Sequence, residues 1–466
     1  MKEKRVHFMG IGGRGISGVV MMAKANGYSV SGCDRDTNTP YIQELRNSGI
    51  PVETGHHRDH VKDVDLLVVS PAILVLETLP EEVQKAKKVV TWQEFLAEYI
   101  QKDKTVICIA GTHGKSTTTA MAALVFENAG RDPSVMIGAT IDAWHENYRV
   151  GKGDIHITES DEFYDNFQYY HPETIILNNI ELDHPDFFTS EKQLFESFQK
   201  HVANLTGKKQ LIINLDDPGN RHLLKLIKKN SEGINIIGYT RENRQDPSVH
   251  VIFHAEDITT SPSGTAFTVT NQKSFHHTFI VPLPGLFTVS NALGVIILAH
   301  LYGIKTEETE HVLATFTGIG MRLEKVGESG GVIFYDDYAH HPTAVRETLK
   351  ALRQRHPDSR IIAIIQPDSF SRTKAFLPLY KDVASDADEV IIAPISPGRD
   401  QETFGLTNQD VAQSIDHPNV SAPPTFDAII QWVTKNAKED DVVIAMCGGG
   451  GEIHHTIRTI AKEYGN

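Results

Sequence analysis

TVICIAGTHGKSTTTAMAALVFENAG, residues 105–130, decides how the rest of the chain is read. A run of β-branched and apolar residues stops at GTHGK, and a Thr- and Ala-rich stretch of helical character follows. That order is a strand, a tight turn and a helix. Gly111, Thr112, His113 and Gly114 can form a short anion-binding turn. Lys115 then supplies a point charge for the β- and γ-phosphates of a nucleotide, and Ser116 a hydroxyl for Mg2+. The spacing departs from GxxxxGK[ST], because Ile109 stands where the first Gly would be. A helix using threonines only for capping does not explain Lys115, which opposes the helix dipole unless an anion is present.

A second glycine-rich turn lies near the N-terminus. Gly10, Gly12 and Gly15 form GxGxxG after the strand-like RVHFMG and before a helical stretch, and Asp34 ends the next strand, YSVSGCD. Glycines there let the backbone approach a diphosphate at a helix N-terminus. A dehydrogenase cofactor and a UDP-sugar present the same diphosphate, so the motif alone leaves both open. The alternative is a tight turn that merely packs a helix on a strand.

Outward from these turns the chain alternates strands and helices, which predicts an α/β fold with parallel sheets. Its 466 residues suggest about three domains at ~150 each. The expected units are 1–103, 104–325 and 326–466: a Rossmann-like first domain, a P-loop-like central domain and a Rossmann-like third. Within the central unit, VHVIFHAED, GTAFTVTNQ and HHTFIVPLPG, split by SPSG, predict an antiparallel excursion between 248 and 282. The αβ rhythm restarts near residue 326.

Two acidic clusters sit at predicted strand ends after the lysine turn. ESDE holds Glu159, Asp161 and Glu162, and NNIELDH holds Asn179, Glu181, Asp183 and His184. Mg2+ prefers hard oxygen donors, so carboxylates there suit a nucleotide–Mg2+ site.

Composition narrows the rest. The formal net charge of −15 argues against a general nucleic-acid surface. No window carries the ~18 apolar residues of a membrane span, and MKEKRVHFMGIGG reads as a first strand rather than a signal peptide. Cys33, Cys108 and Cys447 form no CxxC pair, which argues against a disulfide framework or a cysteine-based zinc site and fits a reducing compartment. A cytoplasmic protein is expected. The adjacent histidine pairs, such as His56-His57 and His340-His341, point to opposite sides and do not suggest a multi-histidine metal centre.

In order, AGTHGKSTTT, ESDEF, NNIELDHPDFF, SNA, MRLE and YDDYAHHPT resemble the motifs of the Mur ligases, over essentially the whole chain. HFMGIGGRGISG, SGCD and the stretch FQYYHPETIILNNIELDHPDFF look most like the branch that adds the first amino acid. The resemblance implies an ATP-dependent ligase that joins an amino acid, L-alanine by default, to UDP-N-acetylmuramate through an acyl phosphate. ATP and Mg2+ are the implied cofactors, and the implied chain is a monomer or homodimer. Gly111, Thr112, His113, Gly114, Lys115, Ser116 and Thr117 would hold the phosphates. Ser116, Glu159 and His184 would serve metal ions. Asn291 matches the family's adenine-contacting Asn. Arg322 matches an Arg near the phosphates or the domain hinge, and Asp337 and His340 would reach ATP from the third domain. Arg372 would lie near the amino acid and the muramoyl group. Gly12, Gly13, Gly15 and Ser17 would cradle the UDP diphosphate, with Asp34, His56 and Ser70 as further contacts.

Some positions depart from the family pattern. Phe287-Thr288 replaces the usual His-Asn before the adenine segment, Met321 replaces one of two arginines, and Asp368 replaces a His. The first two could weaken ATP use or alter the hinge. Asp368 could favour a cationic amine, although family drift is the preferred reading. The tail reads CGGGGEI in place of the common Gly-Ala-Gly-Asp version. Lys200 lies where several members carry a carbamylated lysine, and reads here as a solvent-facing helix residue. The competing readings are a recycling ligase that adds a whole peptide to UDP-N-acetylmuramate, a non-catalytic homologue that binds this sugar, and an NAD-dependent oxidoreductase, which leaves the Lys115 turn unexplained.

Overall fold

The computed structural model describes residues 4–464 apart from 75–77, 229–231, 273, 399 and 450. Gly450 of CGGGGEI therefore lies outside the described residues. The fold is mixed α/β, built on three sheets of largely parallel strands.

The first sheet orders its strands Val52–Thr54, Ser29–Asp34, Arg5–Met9, Leu66–Val69, Val89–Thr91, all parallel. Strand order reverses at Arg5–Met9, and ligands of open α/β sheets bind outside the carboxyl ends at such a reversal. Gly10–Gly15 follows this strand and Ser70 follows its neighbour Leu66–Val69. The helix Arg14–Ala25 buries Ile16, Val19, Val20 and Ala23 on the sheet.

The second sheet runs His276–Val281, Gly264–Asn271, Val251–Ser261, Asn235–Thr240, Gln210–Asn214, Thr174–Leu177, Thr105–Ala110, Ile155–Ser160, Ser134–Ile141, Glu146–Arg149. Thr105–Ala110 lies between Thr174–Leu177 and Ile155–Ser160 and is buried on both faces from Val106 onward, which explains its unbroken apolar run. Its position puts the two acidic clusters on either side of the lysine turn. The antiparallel excursion is present: Gly264–Asn271 pairs antiparallel with both neighbours. Val251–Ser261, however, joins the preceding strand in parallel. The helix Lys115–Asn128 is buried nearly all round, with Ala120, Ala122 and Ala123 fully covered, because it packs under the helix Leu286–Leu301.

The third sheet runs Glu324–Ser329, Val332–Asp337, Val442–Met446, Ile361–Ile365, Glu389–Ile392, Val420–Ser421. Its first strand is antiparallel to the second, a departure from an unbroken parallel rhythm. DDYAHHPT leaves Val332–Asp337, and Asp368 and Arg372 follow Ile361–Ile365. Both segments therefore emerge from carboxyl ends of strands toward the central sheet. Among the described residues no helix is long and apolar enough to cross a membrane.

Candidate active site

The lysine turn is tight because its glycines have no room for a side chain. Gly111 has φ +132°, and an added Cβ would lie 2.9 Å from the Asn179 carbonyl oxygen. Gly114 caps the helix at φ +77° and would meet the Asn291 amide oxygen at 2.6 Å. The helix starts with no acidic residue in its first turn, so its positive end faces the cleft uncompensated. NNIELDH clasps the turn from the next strand. The His113 backbone N–H donates to Asn179 Oδ1 at 2.7 Å, and the Thr112 hydroxyl donates to the Glu181 carbonyl at 2.9 Å.

Lys115 points into the carboxylates. Its Nζ donates to Glu162 Oε2 at 2.7 Å and lies 3.8 Å from Asp161. Burial disfavours the ammonium, but Glu162, Asp161 and Glu159 outweigh it and raise the Lys115 pKa above lysine's ordinary value. Ser116 donates its hydroxyl to Glu159 Oε2 at 2.9 Å, and the Gly138 N–H donates to the same oxygen at 2.7 Å. Asp161, Glu162 and His184 bring ligand atoms within 4.8 Å of one another. This oxygen-rich set fits a hard cation such as Mg2+. Among the described residues His184 clusters with Asp161 and Glu162 and not with Glu159.

The third domain supplies the opposite wall. Arg372 Nη2 donates to His184 Nδ1 at 2.8 Å, its Nε lies 3.1 Å from Asp183, and its Nη1 donates to Asp368 at 2.6 Å. Burial alone would raise the Asp183 pKa, but Arg372, His184 and His340 hold it well below the ordinary carboxylate range. Burial is the largest cause of the low His184 value, about 4, with Arg372 adding to it against Asp183. The His184 backbone sits at φ 54°, an uncommon conformation for a side chain of this size, and its ring stacks on Phe163 at 4.2 Å. His340 lies 3.9 Å from Asp183 while His341 lies 3.7 Å from Glu181, so the adjacent pair faces two different carboxylates. Thr343 donates to Glu181 at 2.7 Å and His113 bonds the same carboxylate at 2.8 Å.

Asp337 is buried and accepts from the Leu323 and Ala339 backbone N–H groups at 2.6 and 2.7 Å, which ties the start of the third domain to its strand. Arg322 stacks over Tyr338 at 4.3 Å. These elements line one cleft of about 1510 Å³. Thr112–Thr117, Glu159, His184, Asn291, Arg322, Asp337, His340 and Arg372 all border it, and Gly15 and Trp92 bring the first domain to its edge. Phe287 and Thr288 also border the cleft, with Thr288 bonded to its own helix turn at 2.8 Å. Met321 holds φ 57° and donates its N–H to Glu324. Lys200 is exposed.

The first turn sits apart from these charges. The Gly12 N–H donates to Asp34 Oδ2 at 2.8 Å, Ser17 donates to the Arg14 carbonyl at 3.0 Å, and Gly13 caps the helix. Trp92 covers Gly15 and Ile42 covers Gly12. His56 turns its Nδ1 to Cys33 Sγ at 3.3 Å. Sequence reasoning did not single out His341, Thr343 or Asn178 as site residues, although AHHPT and NNI contain them. Asp368, for which family drift was preferred over a role toward a cationic amine, is paired with Arg372.

Three family models match in order: the Mur ligase family catalytic domain over 5–104, the Mur ligase middle domain over 109–299, and the Mur ligase glutamate ligase domain over 321–449. A UDP-N-acetylmuramate–L-alanine ligase of Caldanaerobacter subterraneus is 32% identical, with 99% of this chain and 98% of that one covered. The enzyme of that name from Agathobacter rectalis is 33% identical over 96% of both chains. A solved UDP-N-acetylmuramate–alanine ligase of Thermotoga maritima shares the fold, with TM-score 0.77 at 23% identity over 99% of both chains. A murein peptide ligase of Psychrobacter arcticus superposes with TM-score 0.69 at 26% identity over 99% of both.

Proposed function

This chain belongs to the Mur ligase family and is an ATP-dependent ligase that forms an amide bond in peptidoglycan synthesis, and from that premise we propose that it joins L-alanine to the carboxylate of UDP-N-acetylmuramate. The observation that carries this reading is the meeting of three domains at one cleft. The lysine turn stands at its centre, Arg372 and His340 on one wall, and the first glycine turn at its edge.

The turn 111–117 and the helix N-terminus behind it receive the ATP phosphates. Lys115 exchanges Glu162 for the β- and γ-phosphates. Asn291, which packs on Gly114, sets the adenine, and Arg322, Asp337 and His340 close the nucleotide from the third domain. Mg2+, held by Ser116 and Glu159 with Asp161, Glu162 and His184 beside them, would neutralise phosphate oxygens and orient the sugar carboxylate. A carboxylate oxygen forms a bond to the γ-phosphorus while the bond to ADP breaks. The alanine nitrogen then attacks the acyl carbon, a proton leaves the nitrogen, and phosphate departs. Positioning and charge neutralisation suffice for the first step. Arg372, fixed by Asp183 and Asp368, is placed to hold the carboxylate of the amino acid. The docked third domain keeps water from the acyl phosphate. Gly12, Gly13, Gly15 and Ser17 cradle the UDP diphosphate, with Asp34, Ser70 and His56 around the uridine end. The units 1–103, 104–325 and 326–466 act as sugar-binding, ATP-binding and closing domains, as a monomer or homodimer in the cytoplasm.

Peptide addition to the same sugar is the second reading, favoured by the likeness to the murein peptide ligase. Incubation with ATP, Mg2+ and UDP-N-acetylmuramate, offering alanine or the tripeptide, separates the two by product mass. ADP release requiring all components with alanine is the expected result. Product with neither amine would overturn both readings.

A further inference from the structure

A buried polar cluster in the first domain has no part in the chemistry of the cleft. His7 and Cys33 lie on adjacent parallel strands. His7 pairs with Ser31 and Met9 with Cys33, so the two side chains stand diagonally on one face of the sheet. His60, in the turn Arg58–Val61, and Glu82, in the short helix Glu81–Lys85, close over that face. His7, Cys33 and His60 bring ligand atoms within 4.8 Å of one another, as do Cys33, His56 and Glu82. His60 Nδ1 lies 3.6 Å from Glu82 Oε1.

Three atoms here have no hydrogen-bond partner: His7 Nε2, His60 Nδ1 and Glu82 Oε1. Glu82 is 1% exposed, His7 2% and Cys33 0%. A buried carboxylate oxygen and a buried imidazole nitrogen without a hydrogen-bond partner are costly, and native interiors rarely hold them without a ligand or water. The other ring nitrogen of His7 is within 2.9 Å of the Ser31 hydroxyl. That is the outer-sphere partner that orients a metal-bound histidine.

We propose that His7, Cys33, His60 and Glu82 form a closed structural site for one zinc-class transition-metal ion. One sulfur, two imidazole nitrogens and one carboxylate oxygen make a four-donor set of the kind Zn2+ takes. Binding forms a metal–sulfur bond and releases the Cys33 thiol proton to solvent. His56 stays outside the donor set, beside the sulfur. The ion fixes the strand end beneath the first glycine turn, where the Cys33 carbonyl accepts from the Gly10 and Ile11 N–H groups at 2.9 and 3.2 Å. The inference is independent of the ligase reading.

The test uses the full chain, stripped with a chelator and titrated with Co2+ in excess Mg2+, then with Zn2+ against a chromophoric competitor. One equivalent of Co2+ gives a thiolate-to-cobalt absorption band and tetrahedral visible bands, and Zn2+ displaces it. Cys33 is the sulfur reported, since among the described residues neither Cys108 nor Cys447 belongs to a cluster of possible metal ligands. Cys33→Ser removes the band. Glu82→Gln and His60→Asn, checked for native circular dichroism, weaken Zn2+ by more than the roughly 10–100-fold typical of an outer-sphere loss, and Ser31→Ala falls within that range. No thiolate band in the folded wild type, a band that survives Cys33→Ser, or unchanged Zn2+ affinity in folded Glu82→Gln and His60→Asn would overturn the proposal.

Discussion

The two glycine-rich turns occupy equivalent places, each between a central strand and a helix N-terminus, yet they are surrounded by opposite chemistry. Around Gly111–Gly114 the neighbours are amides and charges: Asn178, Asn179 and Asn291 press on the glycines, and Lys115 sits among three carboxylates. Around Gly10–Gly15 the neighbours are Ile42, Ile73 and Trp92, and the Asp34 carboxylate holds a backbone N–H. The same local geometry therefore serves charge neutralisation in one place and docking in the other. What separates them is the set of side chains delivered by neighbouring strands.

Removing the cation tests that contrast most severely. Lys115→Met is expected to lower kcat by about 10²–10³ while binding of the UDP-sugar, measured by calorimetry, stays within a few fold. Equal loss of sugar binding would erase the distinction. A glycine exchange is the next probe. Gly114→Ala forces a side chain into a left-handed position against Asn291, at about 1–3 kcal/mol, and should lower both Tm and activity. Gly12→Ala meets the flexible end of Ile42 at 2.8 Å with no positive φ. It should raise KM for the UDP-sugar with little change in Tm.

Acid provides a smaller test. Burial is the leading cause that lowers His184 and His341 to about 4 in the cleft, and His7 to about 4 in the first domain. Unfolded histidine titrates near 6.5, so the unfolded chain binds more protons between those values. The stability these three histidines contribute is full above about pH 6.5 and falls as pH drops toward 4. His341→Gln should flatten the Tm profile across that window, and an unchanged slope would remove His341 from the account. Asp34→Asn keeps an acceptor for the Gly12 N–H and should have the smallest effect, a change of a few fold in KM for the sugar.

Much of this was legible because strand, turn and helix write themselves locally. The apolar run 105–110, the glycines of both turns and the acidic strand ends all needed only neighbouring residues. The hairpin strand Glu146–Arg149 and the edge strand Glu324–Ser329 were missed, since partly exposed polar residues give no alternation to read. The pairing of Arg372 with Asp183, and that of Lys115 with Glu162, depends on how strands are ordered in space. So does the cluster of His7, Cys33, His60 and Glu82, whose spacing lacks any metal-motif pattern. Asp368, read from the sequence mainly as family drift, pairs with Arg372 four residues on.

The central claim is that the substrate carboxylate itself takes the γ-phosphoryl group in the cleft around Lys115. UDP-N-acetylmuramate carrying 18O in its carboxylate, incubated with ATP, Mg2+ and alanine, tests it directly. The account predicts inorganic phosphate that contains one 18O for each amide bond formed. Amide formation with unlabelled phosphate would contradict it.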